Sequence, residues 1–229
     1  MRSLLFPKRC PICDEIIPDD MKICPGCATI PRRIANPRCM KCGKHIENPN
    51  DKYCRDCERK PGAFVRGVSA FEYDSVHDSI FRFKNAGRPE YADYYADRIA
   101  AYEGDNIRDF EADALIPIPL HPSKLKKRGY NQSELIADEL SKRLGIPVEK
   151  GILVRTRKTK EQKKLTDSER QKNIVGAFHI AQNGVKLLNV VLVDDVYTTG
   201  STIDEAARTL LASGVQNVYF VTVAVGIDK

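Results

Sequence analysis

The chain has 229 residues, of which 42% are hydrophobic and 30% are charged, and its formal net charge is +6 at pH 7. This apolar content is enough to fill a globular core, which argues against a disordered chain. The longest apolar runs, such as 218–225, have the length of a strand, so we expect no membrane insertion.

All eight cysteines lie in the first quarter of the chain, in four pairs with two residues between the partners. That spacing lets both sulfur atoms of a pair bind one tetrahedral ion, and two such pairs complete a four-cysteine site. The pairs form a repeat in which each copy looks like one zinc ribbon. Pairing within each copy is the simplest assignment, although joining the first pair to the third and the second to the fourth would also give two sites. The predicted zinc ligands are Cys10, Cys13, Cys24, Cys27, Cys39, Cys42, Cys54 and Cys57.

A disulfide framework is the alternative for these cysteines. We favour two structural Zn²⁺ ions, because the chain shows no charged and apolar leader and a cytoplasmic protein keeps its thiols reduced. A closed four-thiolate site leaves no position for catalysis, and it makes His45 unnecessary as a ligand. Two zinc ions on eight thiolates would lower the net charge to about +2. The overall charge is therefore a poor argument for DNA binding. From the reduced thiols we expect a cytoplasmic location.

The end of the cysteine region predicts a domain boundary. Residues 1–62 contain too few large apolar side chains to form a core without metal, so we predict a double zinc ribbon there. Residues 63–229 alternate strand and helix patterns, which predicts an α/β domain with a parallel sheet flanked by helices. The predicted strands are 64–73, 114–120, 148–155, 187–193 and 218–225, and the predicted helices are 75–84, 89–102, 131–144 and 201–213.

The segment 187–202 carries the most specific signal. An apolar strand runs into Asp194 and Asp195, and a short hydroxyl-rich loop with Gly200 then leads into a helix. Backbone N–H groups and the helix dipole favour a phosphate at such a loop. Carboxylates at the end of the strand can accept hydrogen bonds from ribose hydroxyls, directly or through Mg²⁺. The segment predicts a sugar-phosphate site, with an ordinary strand–turn–helix crossover as the simpler alternative.

This segment resembles the signature that binds phosphoribosyl pyrophosphate (PRPP) in type I phosphoribosyltransferases, and every element of that signature is present. The resemblance implies the type I phosphoribosyltransferase fold, with a Rossmann-like parallel-sheet core, and a Mg²⁺ ion that accompanies PRPP. It also implies that the two aspartates bind the ribose hydroxyls and that the loop binds the 5-phosphate. The residues assigned to PRPP here are Val193, Asp194, Asp195, Thr198, Thr199, Gly200, Ser201 and Thr202.

Two further segments narrow the resemblance. Residues 116–132 form a strand end and a basic stretch that closes on Arg-Gly-Tyr-Asn-Gln, and residues 157–178 carry a spaced series of Gln, Leu, Arg and Asn. With the cysteine-rich head, they resemble the ComF family, the competence-associated phosphoribosyltransferase-like proteins of bacteria. The head departs from that pattern, because two four-cysteine units exceed the single ribbon expected of many members.

The resemblance implies further contacts to PRPP. In type I phosphoribosyltransferases the loop after the first core strand holds pyrophosphate, and a mobile loop closes over the reacting centre. By position these are residues 118–128 and 158–172, both rich in basic side chains, for which a solvated charged face is the alternative. For Lys84 the alternative is a lysine favoured by the helix dipole. The additional predicted PRPP ligands are Lys84, Pro119, Arg128, Gln162 and Arg170, and the predicted catalytic residues are Asp194, Asp195 and Arg128.

The acceptor of a phosphoribosyl group cannot be read from the sequence, and three hypotheses follow. The first is a Mg²⁺-dependent phosphoribosyltransferase that releases pyrophosphate. The second, which the family resemblance favours, is an accessory protein of single-stranded DNA uptake that works beside a competence helicase. The third is a PRPP-sensing regulator without turnover. The first two can both hold, because the PRPP site and the ribbons are predicted to lie in different domains.

Overall fold

The computed structural model describes residues 7–157, 173–181 and 186–226. Within these ranges the helices are α1 Arg55–Arg59, α2 Tyr73–Asn85, α3 Tyr91–Arg108, α4 Pro122–Arg128, α5 Gln132–Leu144 and α6 Ser201–Ala212. The strands are β1 Gly67–Glu72, β2 Ala114–Pro117, β3 Leu153–Arg155, β4 Phe178–Ile180, β5 Asn189–Tyr197 and β6 Asn217–Val225. None of the helices described is both long and apolar enough to cross a membrane.

A parallel sheet of four strands forms the centre, in the order β1-β6-β5-β2. Alternate residues of β5 pack on opposite faces, because successive side chains of a strand point to opposite sides. Val191 and Val193 face α2, α3 and α5, whereas Val190 and Leu192 face α6. Burial on both faces explains why this strand is a continuous apolar run rather than an alternating one. The predicted α/β class with a parallel sheet is confirmed.

Three predicted segments differ from the structure. The predicted strand 148–155 is two pieces, because Gly151 adopts a positive φ of 84° between a parallel bridge at Val148 and the antiparallel pair β3–β4. The segment 122–128, expected as part of a loop, is helix α4, which begins at a proline and ends at Gly129 with φ 85°. Strand β5 continues past residue 193, because Asp194, Val196 and Tyr197 still pair with β6.

The first ribbon, residues 9–27, packs against helices α2 and α3. Ile12 and Ile17 belong to the apolar cluster that contains buried residues of α2 and α3. The Asp14 carboxylate accepts a hydrogen bond of 2.7 Å from Nε of Arg88, which lies in the turn between these helices. The Pro11 carbonyl accepts a hydrogen bond from the hydroxyl of Ser79 in α2. The first ribbon is therefore joined to helices α2 and α3 by apolar contacts and by hydrogen bonds.

The second ribbon, residues 38–59, packs on the other face of the sheet. All four of its cysteines share an apolar cluster with buried side chains of β5, β6 and α6. The Gly67 N–H at the start of β1 donates to the Lys41 carbonyl at 2.7 Å. The Glu103 carboxylate of α3, which is fully buried, pairs with Arg38 at 2.7 Å. Both ribbons thus share apolar clusters with the α/β domain, and we propose a boundary between 62 and 63 as a division of sequence.

The eight cysteines form two groups, and each group contains the pairs of one copy. The sulfur atoms of a group all lie within 4.8 Å of one another. The Cys13 and Cys24 sulfurs are 3.7 Å apart, and the Cys42 and Cys54 sulfurs are 3.6 Å apart. A tetrahedron with Zn–S bonds of about 2.3 Å has edges of about 3.8 Å, so both groups fit zinc. Pairing within copies is confirmed, and the groups are consistent with two structural zinc ions.

We predict that a chelator removes the two zinc ions in separate phases. The first group is open to solvent at Cys13, whereas every cysteine of the second group is buried. Native mass spectrometry during chelation should show two zinc ions per chain, then one, then none. Cys13→Ser should retain one zinc ion. Cys42→Ser should lower the free energy of unfolding by at least about 2 kcal/mol more than Cys13→Ser does. Fewer than two ions in the untreated protein, or their simultaneous loss, would contradict this assignment.

Candidate functional site

The acidic pair, Asp194 and Asp195, lies near the carboxyl end of β5, where ligands bind in open parallel sheets. One Asp194 oxygen accepts hydrogen bonds from the Ser133 hydroxyl at 3.0 Å and from its neighbour's N–H at 2.9 Å. The Asp195 side chain is only 5% exposed, and its Oδ2 lies 2.8 Å from Nζ of Lys84. Three elements, β5, α5 and α2, therefore meet at these two carboxylates.

Asp194 has an unusual pKa for an aspartate. Burial raises the pKa of Asp194 to about 7, and the negative charge of Asp195 adds to the rise. Lys84 and the two hydrogen bonds act in the opposite direction. A carboxyl group with a perturbed pKa at the carboxyl edge of a parallel sheet is a common feature of functional sites, because its charge is held at a cost in stability.

Residues 198–202, called the phosphate loop after the sequence prediction, follow the end of β5 and include the first two residues of helix α6. Gly200 is the N-cap of α6 with a left-handed φ of 74°, and as a glycine it supplies no side-chain cap. The hydroxyl oxygens of Thr199 and Ser201 are 3.1 Å apart on the loop. Side chains at 198, 199, 201 and 202 are all partly exposed. A helix N-terminus without a side-chain cap, bordered by hydroxyl groups, offers N–H donors to an anion.

The loop after β2 is held in place by Asn131. Its side-chain oxygen accepts from the Ser133 N–H at 3.2 Å, which caps α5, and its amide donates to the Ile118 carbonyl at 3.0 Å. Helix capping therefore explains the presence of Asn131 at this position. Because Ser133 in the same helix turn donates to Asp194, this cap also positions the partner of the acidic pair.

Most of the predicted site residues lie within the part of the chain that the structure describes. Lys84 lies beside the acidic pair, and Arg128 closes α4, where it donates to the side chain of Gln132. Pro119 is partly buried in the loop after β2. Val193 is fully buried in the sheet, and its carbonyl accepts from the Ile118 N–H at 2.9 Å. Gln162 and Arg170, with the rest of 158–172, lie outside the described residues.

Two further residues belong to this site and were not singled out from the sequence. Ser133 donates to Asp194, and a serine in the first turn of a helix gives no signal of such a role. Arg155 was predicted only as the last residue of a strand. Burial lowers the pKa of Arg155, and Asp194 opposes that shift, so its guanidinium lies within the electrostatic reach of the acidic pair. Its position at the end of β3, directly before a basic segment, was the available signal.

We predict that Asp194→Asn stabilises the folded protein at neutral and higher pH. An aspartate has a pKa of about 4 in an unfolded chain, and the folded protein raises that of Asp194 to about 7. The free energy of unfolding of the original chain therefore falls as the pH rises through this window. In the variant, residue 194 carries no titrating group and causes no such fall. Because the carboxylate is partly exposed, the gain at about pH 8 should be only about 1 to 2 kcal/mol.

Urea denaturation at about pH 4, 6 and 8 measures this difference. The two proteins should be equally stable at the lowest pH. Asp195→Asn is the matched control, because it removes the partner of Lys84 and should give a smaller gain or a loss. A gain for Asp194→Asn that does not depend on pH would contradict the account.

Comparison with known proteins agrees with this arrangement. The double zinc ribbon domain matches residues 1–58, and the phosphoribosyl transferase domain matches residues 131–229. Competence protein F of Haemophilus influenzae is 29% identical over 210 residues, which cover 86% of this chain and 87% of that protein. Competence protein ComFC of Bacillus subtilis is 29% identical over 214 residues, which cover 87% of this chain and 82% of that protein.

A third relative carries a different name. The DNA utilization protein YhgH of Salmonella typhimurium is 32% identical over 201 residues, which cover 86% of this chain and 87% of that protein. All three relatives thus match along most of their length and along most of this chain. The chain belongs to the ComF/ComFC family, in which a double zinc ribbon precedes a phosphoribosyltransferase domain.

Proposed function

We propose that the chain binds PRPP together with Mg²⁺ at the carboxyl end of β5. The observation that carries the proposal is the acidic pair at the end of β5, followed within five residues by a helix N-terminus whose cap residue is Gly200. Asp194 and Asp195 would accept the ribose hydroxyls, and the phosphate loop would donate backbone N–H groups to the 5-phosphate. The match to the phosphoribosyl transferase domain over 131–229 supports this placement.

Basic side chains near the acidic pair would meet the pyrophosphate. Lys84 is 2.8 Å from Asp195, so a cation already stands beside the ribose position. Helix α4 carries Lys124, Lys126, Lys127 and Arg128 and no acidic residue. Bound Mg²⁺ would neutralise charge on the phosphates and the ribose oxygens. Stabilisation of the departing pyrophosphate is what phosphoribosyl transfer requires, so the site is compatible with turnover.

A second proposed role is in the handling of single-stranded DNA during uptake, in the cytoplasm and beside a helicase. The names of the relatives, two competence proteins and one DNA utilization protein, favour it. Lys126 and Lys127 on α4 are exposed and could contact a nucleic-acid backbone. Binding to a single-stranded oligonucleotide that weakens steeply as salt rises would support this role, which is compatible with PRPP binding.

We predict that PRPP with Mg²⁺ binds to the full chain and that the double variant Asp194→Asn, Asp195→Asn binds it more weakly by about 2 to 4 kcal/mol. Calorimetry measures the affinity. Asp105→Asn with Asp109→Asn is the matched control, since it makes the same charge change at the end of α3, where the Asp105 side chain is fully exposed. The control should bind as the original chain does.

Equal affinity in the site variant and the original chain would sink the proposed site. Phosphorus NMR of the same samples with a panel of nucleobases then separates transferase from regulator. Pyrophosphate release that depends on an acceptor identifies a phosphoribosyltransferase. Tight binding without release for any acceptor identifies a PRPP-sensing protein or an accessory of DNA uptake.

A further inference from the structure

Tyr197 connects the second ribbon to the phosphate loop. It is the last residue of β5, it is 6% exposed, and Thr198 follows it directly as the first residue of the loop. Its ring stacks on Phe220 of β6, with centroids 4.6 Å apart and planes 5° apart. The ring of Phe64 meets both of these rings edge-on, at 6.1 Å from Tyr197 and 4.9 Å from Phe220.

These three rings pack against the second ribbon. Phe64, Tyr197 and Phe220 belong to one apolar cluster with Cys39, Cys42, Cys54 and Cys57. Nζ of Lys41, which lies between two of these cysteines, is 5.2 Å from the centre of the Phe64 ring. The four buried cysteines are therefore part of the apolar packing that holds the aromatic rings in place.

On the other side, Tyr197 lies directly under the turn of the phosphate loop. A Cβ atom at Gly200 would be 2.5 Å from the hydroxyl oxygen of Tyr197 and 2.9 Å from the ring carbon that bears it. Such a distance is shorter than a normal van der Waals contact, so only a glycine fits above this ring. The position of the ring thus fixes how deep the loop can sit.

A hydrogen bond from the backbone to a side chain also joins the end of the second ribbon to helix α6. The Ala63 N–H, just after the second ribbon, donates to Oδ1 of Asp204 at 2.6 Å. Asp204 lies in the first turn of α6, and its own N–H donates to the Gly200 carbonyl at 2.8 Å. The chain that leaves the ribbon therefore holds the helix turn whose N–H groups border the loop.

We propose that Tyr197 is a positioning residue through which the second ribbon holds the phosphate loop in its binding conformation. The inference rests on the proposed PRPP site, but it concerns the support beneath the loop rather than the ligand. Tyr197 packs in one apolar cluster with the four cysteines and also lies against the phosphate loop. Zinc in the second group would therefore be required for a well-formed loop. Zinc there would act on binding without touching the ligand.

The test compares Tyr197→Leu, Tyr197→Phe and Phe110→Leu in the full zinc-loaded chain. Phe110 is the matched control, because it stacks on Tyr219 at 4.3 Å and is also buried, so its loss removes a ring from a similar pair. Tyr197→Leu should weaken PRPP with Mg²⁺ about tenfold, whereas Tyr197→Phe and Phe110→Leu should stay within about twofold of the original chain. A mass spectrum should show that all three retain zinc.

A second readout does not depend on PRPP. The amide signals of 198–203 in an NMR spectrum should move in Tyr197→Leu and in the zinc-ligand variant Cys57→Ser, but not in Phe110→Leu. If these amides move while even the original chain fails to bind PRPP, the support role stands and the proposed ligand is wrong. If the amides stay in place in Tyr197→Leu, or if Phe110→Leu weakens PRPP binding equally, the inference is overturned.

Discussion

The burial of the second four-cysteine group against β5 and β6 is the contact on which the rest of the molecule depends. Its cysteines share one apolar cluster with Val190 and Leu192 of β5 and with α6. In most α/β domains helices alone cover both faces of a parallel sheet. Here the second ribbon takes part of that cover, so its four-cysteine group contributes to the core and not only to a separate head.

The acidic pair, in contrast, is a buried feature that lowers the stability of the fold. Two adjacent carboxylates are held partly or fully buried at the carboxyl end of β5, and the raised pKa of Asp194 measures what that placement costs. Lys84 and Ser133 offset part of the cost. A ligand with hydroxyls and a divalent cation would offset more, which is why a site of this kind favours binding over stability.

The sequence predicted the features that local chemistry decides. The spacing of the cysteines and the apolar run into Asp194 each depend on a few neighbouring residues, and the structure places both as expected. The break at Gly151 was missed, because it depends on two different pairings, Val148 with Leu115 and β3 with β4, that join separate parts of the chain. The packing of the ribbons on the sheet was also missed, because it depends on contacts such as Arg38 with Glu103 that join distant parts of the chain.

The central claim is that the second ribbon and the sheet form one cooperative unit, and hydrogen exchange measures it most directly. Amide protection is compared in the zinc-loaded chain and after chelation has emptied the second group. The account predicts that amides of β5, β6 and the start of α6 lose protection together with those of 38–59. Loss of protection confined to 38–59, with β5 and β6 as protected as before, would contradict it.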